Sequence, residues 1–236
     1  MAATVGFLRA VKLSWMNKTA ELVLENKSAP QIREELNEYL GFEIKSATTL
    51  RKTRDVLMNA WVTPSAELSG IRKSSLLAYT QSSGNRYAVQ YCVLLAAYPV
   101  VSDICGLIGK LTTIQDEFTT TWLKEKMFEA WGQRETIADS LKYILQSLRD
   151  FGVIERPKIG SHRSIIRDVE SVDVINVILK TILNMKGRSY YEVTELKNVP
   201  QMFPFNFSVS LEWLHNSPEF HLNSYGGKMA VSMKDE

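Results

Sequence analysis

Residues 151–166 read FGVIERPKIGSHRSII. Short apolar runs at both ends flank a reversal at Gly160-Ser161, and this pattern predicts two strands joined by a tight turn. Pro157 lacks a backbone N–H, which confines its strand to the edge of a sheet. We therefore expect a β-hairpin over Phe151 to Ile166 whose outer strand is exposed.

The residues before the hairpin predict two helices. Apolar positions from Trp122 to Trp131 fall at helical intervals until Gly132, and those from Glu135 to Phe151 lie on one face of a longer helix. Two helices followed by a hairpin are typical of a winged-helix module. The sequence therefore predicts such a module over residues 119–170.

The first part of the chain, residues 1–118, is predicted to be a helical domain. Its three initial helices are centred on Ala20–Leu24, Ile32–Leu40 and Leu50–Leu57. Ser28 with Pro30 indicates a helix start, Gly41 a stop, and Ser46 to Thr49 supply hydroxyls that can cap a helix opening near Leu50. Short helices joined by tight turns indicate a helix-turn-helix bundle.

Two further segments complete this predicted N-terminal domain. Thr63 to Gly84 is rich in Ser, Gly and Pro, and is interpreted as a connector that carries one helix over Ser69–Tyr79. Tyr87 to Gly109 is largely uncharged, which predicts a buried pair of helices at the centre of the domain.

The last part, residues 171–236, repeats the pattern of helices followed by a hairpin. Apolar spacing predicts a helix over Val172 to Leu183 that ends near Gly187, and a second, short helix over Tyr190 to Leu196. A third helix is expected to begin at Ser208 or Ser210. Two strands are expected over Phe220–Val231, around Gly226-Gly227. The complete prediction is a mainly α fold, with a helix-turn-helix bundle and tandem winged-helix modules carrying short β-hairpins.

The composition gives little support for catalysis or for a metal site. The chain has two cysteines and three histidines, and none of them falls in a spacing typical of a nucleophile-base pair or of zinc ligands. Cys105 to Thr112 has glycines and a lysine but lacks the spacing and the hydroxyl of a phosphate loop. We expect no enzyme activity, no cofactor and no metal.

The same reasoning predicts a cytoplasmic protein without membrane insertion. The N-terminal residues lack the uninterrupted apolar run of a signal peptide, and two cysteines cannot form a disulfide framework. The most apolar stretch, Val93 to Ile108, is interrupted by Pro99 and Asp103 and is shorter than a membrane-spanning helix.

Two groups of basic residues point to double-stranded DNA, although the formal net charge is only +2. In each group six basic side chains face two acidic ones, and hydroxyls at a helix start can bind phosphate. The first group comprises Lys45, Ser46, Thr48, Thr49, Arg51, Lys52 and Arg54, with Arg72 and Lys73 as an extension. The second comprises Lys142, Arg149, Arg156, Lys158 and Arg163, followed by Arg167. A solvated surface is the alternative for both groups.

The C-terminal segment shows no such surplus of positive charge. Its aromatic side chains are interpreted either as core or as a surface for docking another protein, and core packing is favoured. They are Phe203, Phe205, Phe207, Trp213, Phe220 and Tyr225.

Three stretches in the middle of the chain carry a family resemblance: Arg51–Leu57, Tyr91–Val101 with Pro99, and Arg134-Glu135-Thr136-Ile137 leading through Leu148 to Phe151-Gly152-Val153-Ile154. On these residues, the chain from about residue 20 to residue 165 resembles the BrxA-like family of BREX bacteriophage-exclusion systems. The resemblance implies a helical protein that binds DNA rather than a catalyst, working with other components of a phage-defence complex.

These observations lead to one main hypothesis and two alternatives. The main hypothesis is a non-catalytic accessory protein that binds duplex DNA in a BREX-type defence system. The alternatives are a protein-protein adaptor built on winged-helix domains, and a transcriptional regulator.

Overall fold

A computed structural model describes residues 6–185 and 188–234 of the chain. The fold is mainly helical, with a few small sheets. It begins with the three predicted helices, α1 (Leu13–Leu24), α2 (Ala29–Gly41) and α3 (Ala47–Trp61). The start of α3 lies three residues before the predicted Leu50, because the Ser46 hydroxyl accepts a hydrogen bond from the Thr49 N–H at 3.4 Å and caps the helix there.

The next three helices form the centre of the molecule. They are α4 (Ala66–Gln81), α5 (Arg86–Ala97) and α6 (Pro99–Thr112). The buried pair predicted over Tyr87 to Gly109 is confirmed. The helix predicted over Ser69–Tyr79 is confirmed as part of α4, but the interpretation of Thr63 to Gly84 as a connector is wrong, since α4 packs against α5 and against the later helix α9 (Val172–Leu183). Small buried side chains, Ser74, Ser75 and Ala78, let α4 approach its neighbours closely.

Helices α5 and α6 contain the apolar stretch Val93 to Ile108, whose length and composition bear on membrane insertion. Among the described residues, no single helix has both the length and the apolar composition required. The pair Ser83–Ala97 and Pro99–Thr112 reaches that length and composition only when combined, and it bends by 117° between its two halves.

The predicted helix pair and hairpin follow α6 and are confirmed as local elements. After β1 (Glu117–Thr119) come α7 (Thr120–Trp131), α8 (Glu135–Asp150), β2 (Ile154–Lys158) and β3 (Ser161–Ser164). These strands form an antiparallel sheet in the order β1-β3-β2. Strand β2, which contains Pro157, lies at the edge as predicted.

The C-terminal part contains several short elements around α9. They are β4 (Arg167–Asp168), β5 (Tyr191–Glu192), two 3-10 helices (Val193–Asn198 and Pro200–Met202), β6 (Phe205–Asn206), α10 (Leu211–Asn216), β7 (Phe220–Tyr225) and β8 (Lys228–Met233). Strands β5, β8 and β7 form an antiparallel sheet in that order, whereas β4 and β6 pair in parallel. The hairpin predicted around Gly226-Gly227 is confirmed.

Two sequence predictions in this part require correction. The helix predicted over Tyr190 to Leu196 is wrong, because Tyr191 pairs with Val231 of β8 and the helical turn that follows is of the 3-10 type. Pairing with β8 therefore overrides the local helical pattern. Helix α9 ends at Leu183, and the end predicted near Gly187 lies outside the described residues.

Buried side chains from all three predicted segments, 1–118, 119–170 and 171–236, belong to one continuous core. A buried polar cluster adds a further link between α4, α9 and the residue before β7. The Lys180 ammonium group donates to the Ser74 hydroxyl at 2.7 Å and pairs with Glu219, whose other oxygen accepts from the Asn176 amide at 2.7 Å. The core thus crosses both predicted segment boundaries.

Candidate nucleic-acid interface

Helix α8 has one buried face and one basic, outward face. Its buried stripe is entirely apolar or hydroxylic and includes Ile137, Leu141, Ile144 and Leu148. Lys142, Gln146 and Arg149 follow one another at intervals of four and three residues, which places them on one side of the helix away from that stripe. Lys142 and Gln146 are exposed and Arg149 is half-buried. Helix α8 therefore presents two cations, Lys142 and Arg149, on this outward side.

Arg149 and Arg156 are near enough for their charges to interact where α8 meets the hairpin. The pKa of the Arg149 guanidinium is lowered, first by partial burial and then by the positive charge of Arg156. Neither side chain forms an ion pair with a carboxylate in residues 6–185 and 188–234. The positive charge of Arg149 is stabilised by its place in the last turn of α8, where the helix dipole favours a cation. Two neighbouring guanidinium groups without a carboxylate form a natural binding site for a phosphate.

The other basic residues of the second group have different surroundings. Lys158 is exposed at the end of β2 and also lacks an ion pair within the described ranges. Arg163 donates to Glu117 at 2.9 Å and to Glu155 at 3.3 Å, so its charge is already compensated. Arg167 donates to the Gly152 carbonyl at 2.9 Å and stacks over the Tyr87 ring at 4.9 Å. The guanidinium groups of Arg163 and Arg167 therefore already have partners within the protein.

His162 belongs to β3, and its buried side chain is near enough to the two arginines to sense their charges. Its ring is 2% exposed and stacks on Phe118 with ring centroids 5.5 Å apart. Its Nε2 atom pairs with the Thr120 hydroxyl at 2.9 Å, and Nδ1 has no hydrogen-bond partner in the part of the chain that is described. Burial, together with the charges of Arg149 and Arg156, lowers the pKa of His162 to about 4. The ring is therefore neutral at pH 7.

The first basic group surrounds the start of α3. Lys45, Ser46 and Thr48 are exposed, and Thr49 is half-buried. The Lys45 ammonium group donates to the Gly41 carbonyl at 3.1 Å, which closes the turn between α2 and α3. Lys52 has no ion pair among the described side chains. The exposed polar side chains of the first basic group therefore form a second surface, on which some cations have no partner and others already have one.

Three arginines of this region share a single carboxylate, that of Asp55. Arg54 approaches it to 2.9 Å, Arg33 to 3.4 Å and Arg51 to 3.7 Å. The Arg54 side chain is only 12% exposed and also donates to Asn37 at 2.9 Å, so it joins α3 to α2. One negative charge against three positive ones leaves this surface basic, although Arg54 itself is held inside the fold.

Arg72 and Lys73, the predicted extension of the first group, have separate environments. The Arg72 guanidinium donates to the carbonyls of Asn59, Ala60 and Thr63, at 2.7, 2.9 and 2.6 Å. It therefore satisfies the carbonyls at the end of α3, which have no helical partner. Lys73 is exposed.

The start of α1 contacts the elements that carry the two basic groups. The Lys12 ammonium group pairs with Glu43, in the turn between α2 and α3, and the Trp15 indole donates to the same carboxylate at 3.0 Å. The backbone N–H of Leu13 donates to Asp150, at the end of α8, at 2.6 Å. The beginning of α1 thus connects the α2–α3 turn with the end of α8. Both carboxylates at this junction have partners.

Sequence reasoning did not foresee the segment that precedes α1. It runs along α8, where the Ser140 hydroxyl donates to the Phe7 carbonyl at 2.8 Å and the Ser147 hydroxyl accepts from the Val11 N–H at 2.9 Å. Phe7 and Val11 are buried. The two serines are spaced seven residues apart on α8, and polar residues on an otherwise apolar stripe were the available signal.

A second unforeseen feature is the tip of the hairpin. Ile159 occupies the turn between β2 and β3 and is 91% exposed. The signal in the sequence was an isoleucine directly before the turn glycine, Gly160, where polar residues are usual.

The C-terminal aromatic residues are mostly part of the core. Phe205, Phe207 and Phe220 are buried, whereas Phe203 and Trp213 are partly buried and pack against the core. The interpretation as core is confirmed for these five residues; the side chain of Tyr225 lies outside the described part of the structure.

The described residues contain no group of three or more His, Cys, Asp or Glu side chains placed to hold a metal ion. Cys92 and Cys105 are buried and unpaired, and burial raises the pKa of each thiol to about 12. Both sulfurs are therefore protonated and unreactive at neutral pH.

Comparisons with protein-family models, with curated proteins and with solved structures gave no match for this chain. Its function has to be argued from its own residues.

Proposed function

We propose that this chain is a non-catalytic protein that binds double-stranded DNA through a winged-helix module. The module would consist of α6, β1, α7, α8 and the β2–β3 hairpin, with α8 as the recognition helix and the hairpin as the wing.

The order of the elements supports this proposal. A helix, a strand, two helices and a hairpin follow one another, and the first strand pairs with the last in the sheet order β1-β3-β2. This is the arrangement of winged-helix domains, in which the third helix enters the major groove and the wing follows the backbone or the minor groove. The C-terminal strands repeat the order as β5-β8-β7, which supports a second module of the same type.

The observation that carries the proposal is the pair Arg149 and Arg156. One belongs to the proposed recognition helix and the other to the proposed wing, and neither has a carboxylate partner in the described chain. Holding two like charges together costs free energy that an incoming phosphate would recover. Lys142 and Lys158 extend this free positive charge along α8 and along the hairpin.

The distribution of charge along α8 also favours the hairpin end of the module as the part that contacts the DNA backbone. Glu135 and Asp139 are exposed in the first two turns of α8, whereas Lys142 and Arg149 follow later in the helix. The negative first turns repel phosphate, so we infer that contact with the backbone is strongest where α8 meets β2. The second module lacks this charge, because its six-residue helix α10 exposes Leu211, Glu212 and His215.

The first basic group would bind the same duplex as a secondary surface. The contacts of Lys12 and Leu13 place the α2–α3 turn next to the end of α8, and Glu43 and Asp150 are both satisfied at that junction. Lys45 and Lys52, which have no ion pair among the described residues, and Arg51, which shares the Asp55 carboxylate with two other arginines, are then the cations that this surface would add. Backbone contacts from both groups imply little base specificity.

Replacing both central arginines tests the proposal. We expect Arg149→Ala/Arg156→Ala to weaken binding to unrelated duplexes by about tenfold or more and to reduce the slope of log K against log salt by about 2, because two phosphate contacts are lost. Fluorescence anisotropy with a labelled duplex at several salt concentrations measures both quantities.

A matched control removes two cations from the C-terminal part. Arg188 and Lys228 are each paired with a carboxylate, Glu195 and Glu192, and Arg188→Ala/Lys228→Ala changes the net charge equally. We expect this variant to bind as the wild type does. Equal losses in the two variants would show that only total charge matters and would contradict the assigned surface.

The role in a phage-defence system is proposed from the family resemblance of residues 20–165 alone. The same binding experiment separates the alternatives. Absence of salt-sensitive duplex binding by the wild type would favour the protein-protein adaptor, and protection of one discrete sequence would favour a transcriptional regulator.

A further inference from the structure

We propose that Ile159, at the tip of the β2–β3 hairpin, acts as an apolar wedge that inserts into the minor groove and partly unstacks a base step. This proposal rests on the proposed DNA binding and specifies what the hairpin does there.

The first observation is the position of Ile159. The pair Lys158 and Ser161 closes the hairpin, so Ile159 and Gly160 form a two-residue turn, with Gly160 at φ +80°. At 91% exposure Ile159 is the most exposed large apolar side chain of the described residues. It makes no contribution to the core, so its apolar surface has no structural use in the chain itself.

The second observation is that the turn is held rigidly. Strand β3 is paired on both sides, and the Gly160 carbonyl accepts a hydrogen bond from the Thr120 N–H at 3.0 Å. The Ser161 hydroxyl donates to Glu117 at 2.6 Å. A rigid support matters for a wedge, because an apolar side chain on a mobile loop would lose conformational freedom on insertion.

The third observation concerns the strand that leads to the tip. The register shifts between Glu155 and Lys158, where Arg156 and Pro157 face a single residue of β3. Such a bulge increases the local twist and changes the direction of the hairpin end. The bulge itself contains Arg156 and lies between Ile159 and Arg149, so the proposed phosphate contact of Arg156 and the apolar tip belong to one continuous strand.

The chemistry fits the minor groove of duplex DNA. Wedges in minor-groove proteins are apolar side chains that enter between base steps while neighbouring cations hold the phosphates on either side. Arg156 and Lys158 precede Ile159 by three residues and one residue, and neither has an ion pair within the described ranges. A flexible pyrimidine–purine step such as TA offers the easiest site for insertion.

A duplex of about two helical turns with a central TA step provides the test. It carries a dye at each end and 2-aminopurine as the adenine of that step. We expect wild-type protein to bring the ends closer, as a kink of roughly 20–90° would, and to raise 2-aminopurine fluorescence. Ile159→Ser should abolish both signals and lower affinity by about 5- to 10-fold, with an unchanged salt slope.

Two further variants separate a wedge from a general apolar effect. Ile159→Leu keeps an apolar side chain at the tip and should retain both signals. Ile114→Ser makes the same change at another exposed isoleucine, 83% exposed, which precedes β1 at the opposite end of the sheet. It should leave both signals as in the wild type.

The outcomes distinguish the wedge from the proposed function. Wild-type binding with the expected salt slope but without a kink, or an Ile159→Ser variant that kinks the duplex normally, would overturn the wedge alone. Failure of the wild type to bind duplex at any salt concentration would overturn both proposals.

Discussion

His162 shows how one side chain beneath the hairpin makes the fold sensitive to acid. Its ring is buried against Phe118, and Arg149 and Arg156 are the charged groups that disfavour its protonation. The pKa of about 4 lies well below the ordinary value of 6.5. Protonation is therefore easier in the unfolded chain than in the folded protein.

The consequence is a loss of stability on mild acidification. Because the unfolded chain binds the proton first, the free energy of unfolding decreases as the pH falls from about 6.5 towards 4. We expect His162 to contribute a decrease of about 2 kcal/mol between pH 7.5 and pH 5. Urea unfolding at intervals across this range, above the region where most carboxylates titrate, measures the effect.

The variant His162→Gln provides the control, since glutamine is neutral at every pH and keeps a polar group near Thr120. It should be less stable than the wild type at pH 7.5 but should lose less stability on going to pH 5. Parallel pH dependence in the two proteins would mean that His162 does not control the acid response.

Helix α6 and the 3-10 helix Pro200–Met202 approach each other so closely that a single methyl group would separate them. A Cβ atom on Gly109 would lie 1.8 Å from the Pro200 carbonyl oxygen. Rigid backbone on both sides leaves no room for adjustment. The contact thus requires glycine at this point of α6.

Substitution of this glycine should disturb the packing of the two elements. We expect Gly109→Ala to lower the free energy of unfolding by about 3 kcal/mol, as in other overpacked interiors. Gly84→Ala is the comparison, because a Cβ there meets nothing within 4 Å; it should be close to neutral. Equal urea midpoints for the two variants would contradict the close contact.

For the complete chain, the continuous core implies cooperative unfolding. Helices α4 and α5 pack against α9, and buried residues from Phe7 to Val231 belong to the same cluster. Lys180 and Glu219 join α9 to the beginning of the last hairpin. No segment can therefore separate without exposing the apolar surface of another.

We expect one unfolding transition for the wild-type chain. Far-UV circular dichroism should report the loss of helices and near-UV circular dichroism the loss of tertiary packing, with the same midpoint in urea. Calorimetry should show agreement between the calorimetric and van't Hoff enthalpies. Two separated transitions would indicate that the predicted segments unfold independently.

Local patterns were sufficient to predict most helices and both hairpins. Apolar spacing located α2, α7, α8 and α9, and a glycine or serine at their ends set several limits, because these signals act within a few residues. Tyr190 to Leu196 was mispredicted, since its structure depends on pairing with β8, some forty residues away in the chain. Long-range pairing leaves little local signal.

For the candidate interface, too, the sequence determined one part and the tertiary structure the other. Composition along the chain revealed both basic groups, because charge is a property of each residue. Which cations are free depends on neighbours that are distant in sequence. The charge of Arg163 is compensated by Glu117, and Arg72 binds the carbonyls at the end of α3. Neither Arg149 nor Arg156 has a carboxylate partner in the described structure. Only the folded chain brings carboxylates and carbonyls to some cations and leaves others for a phosphate.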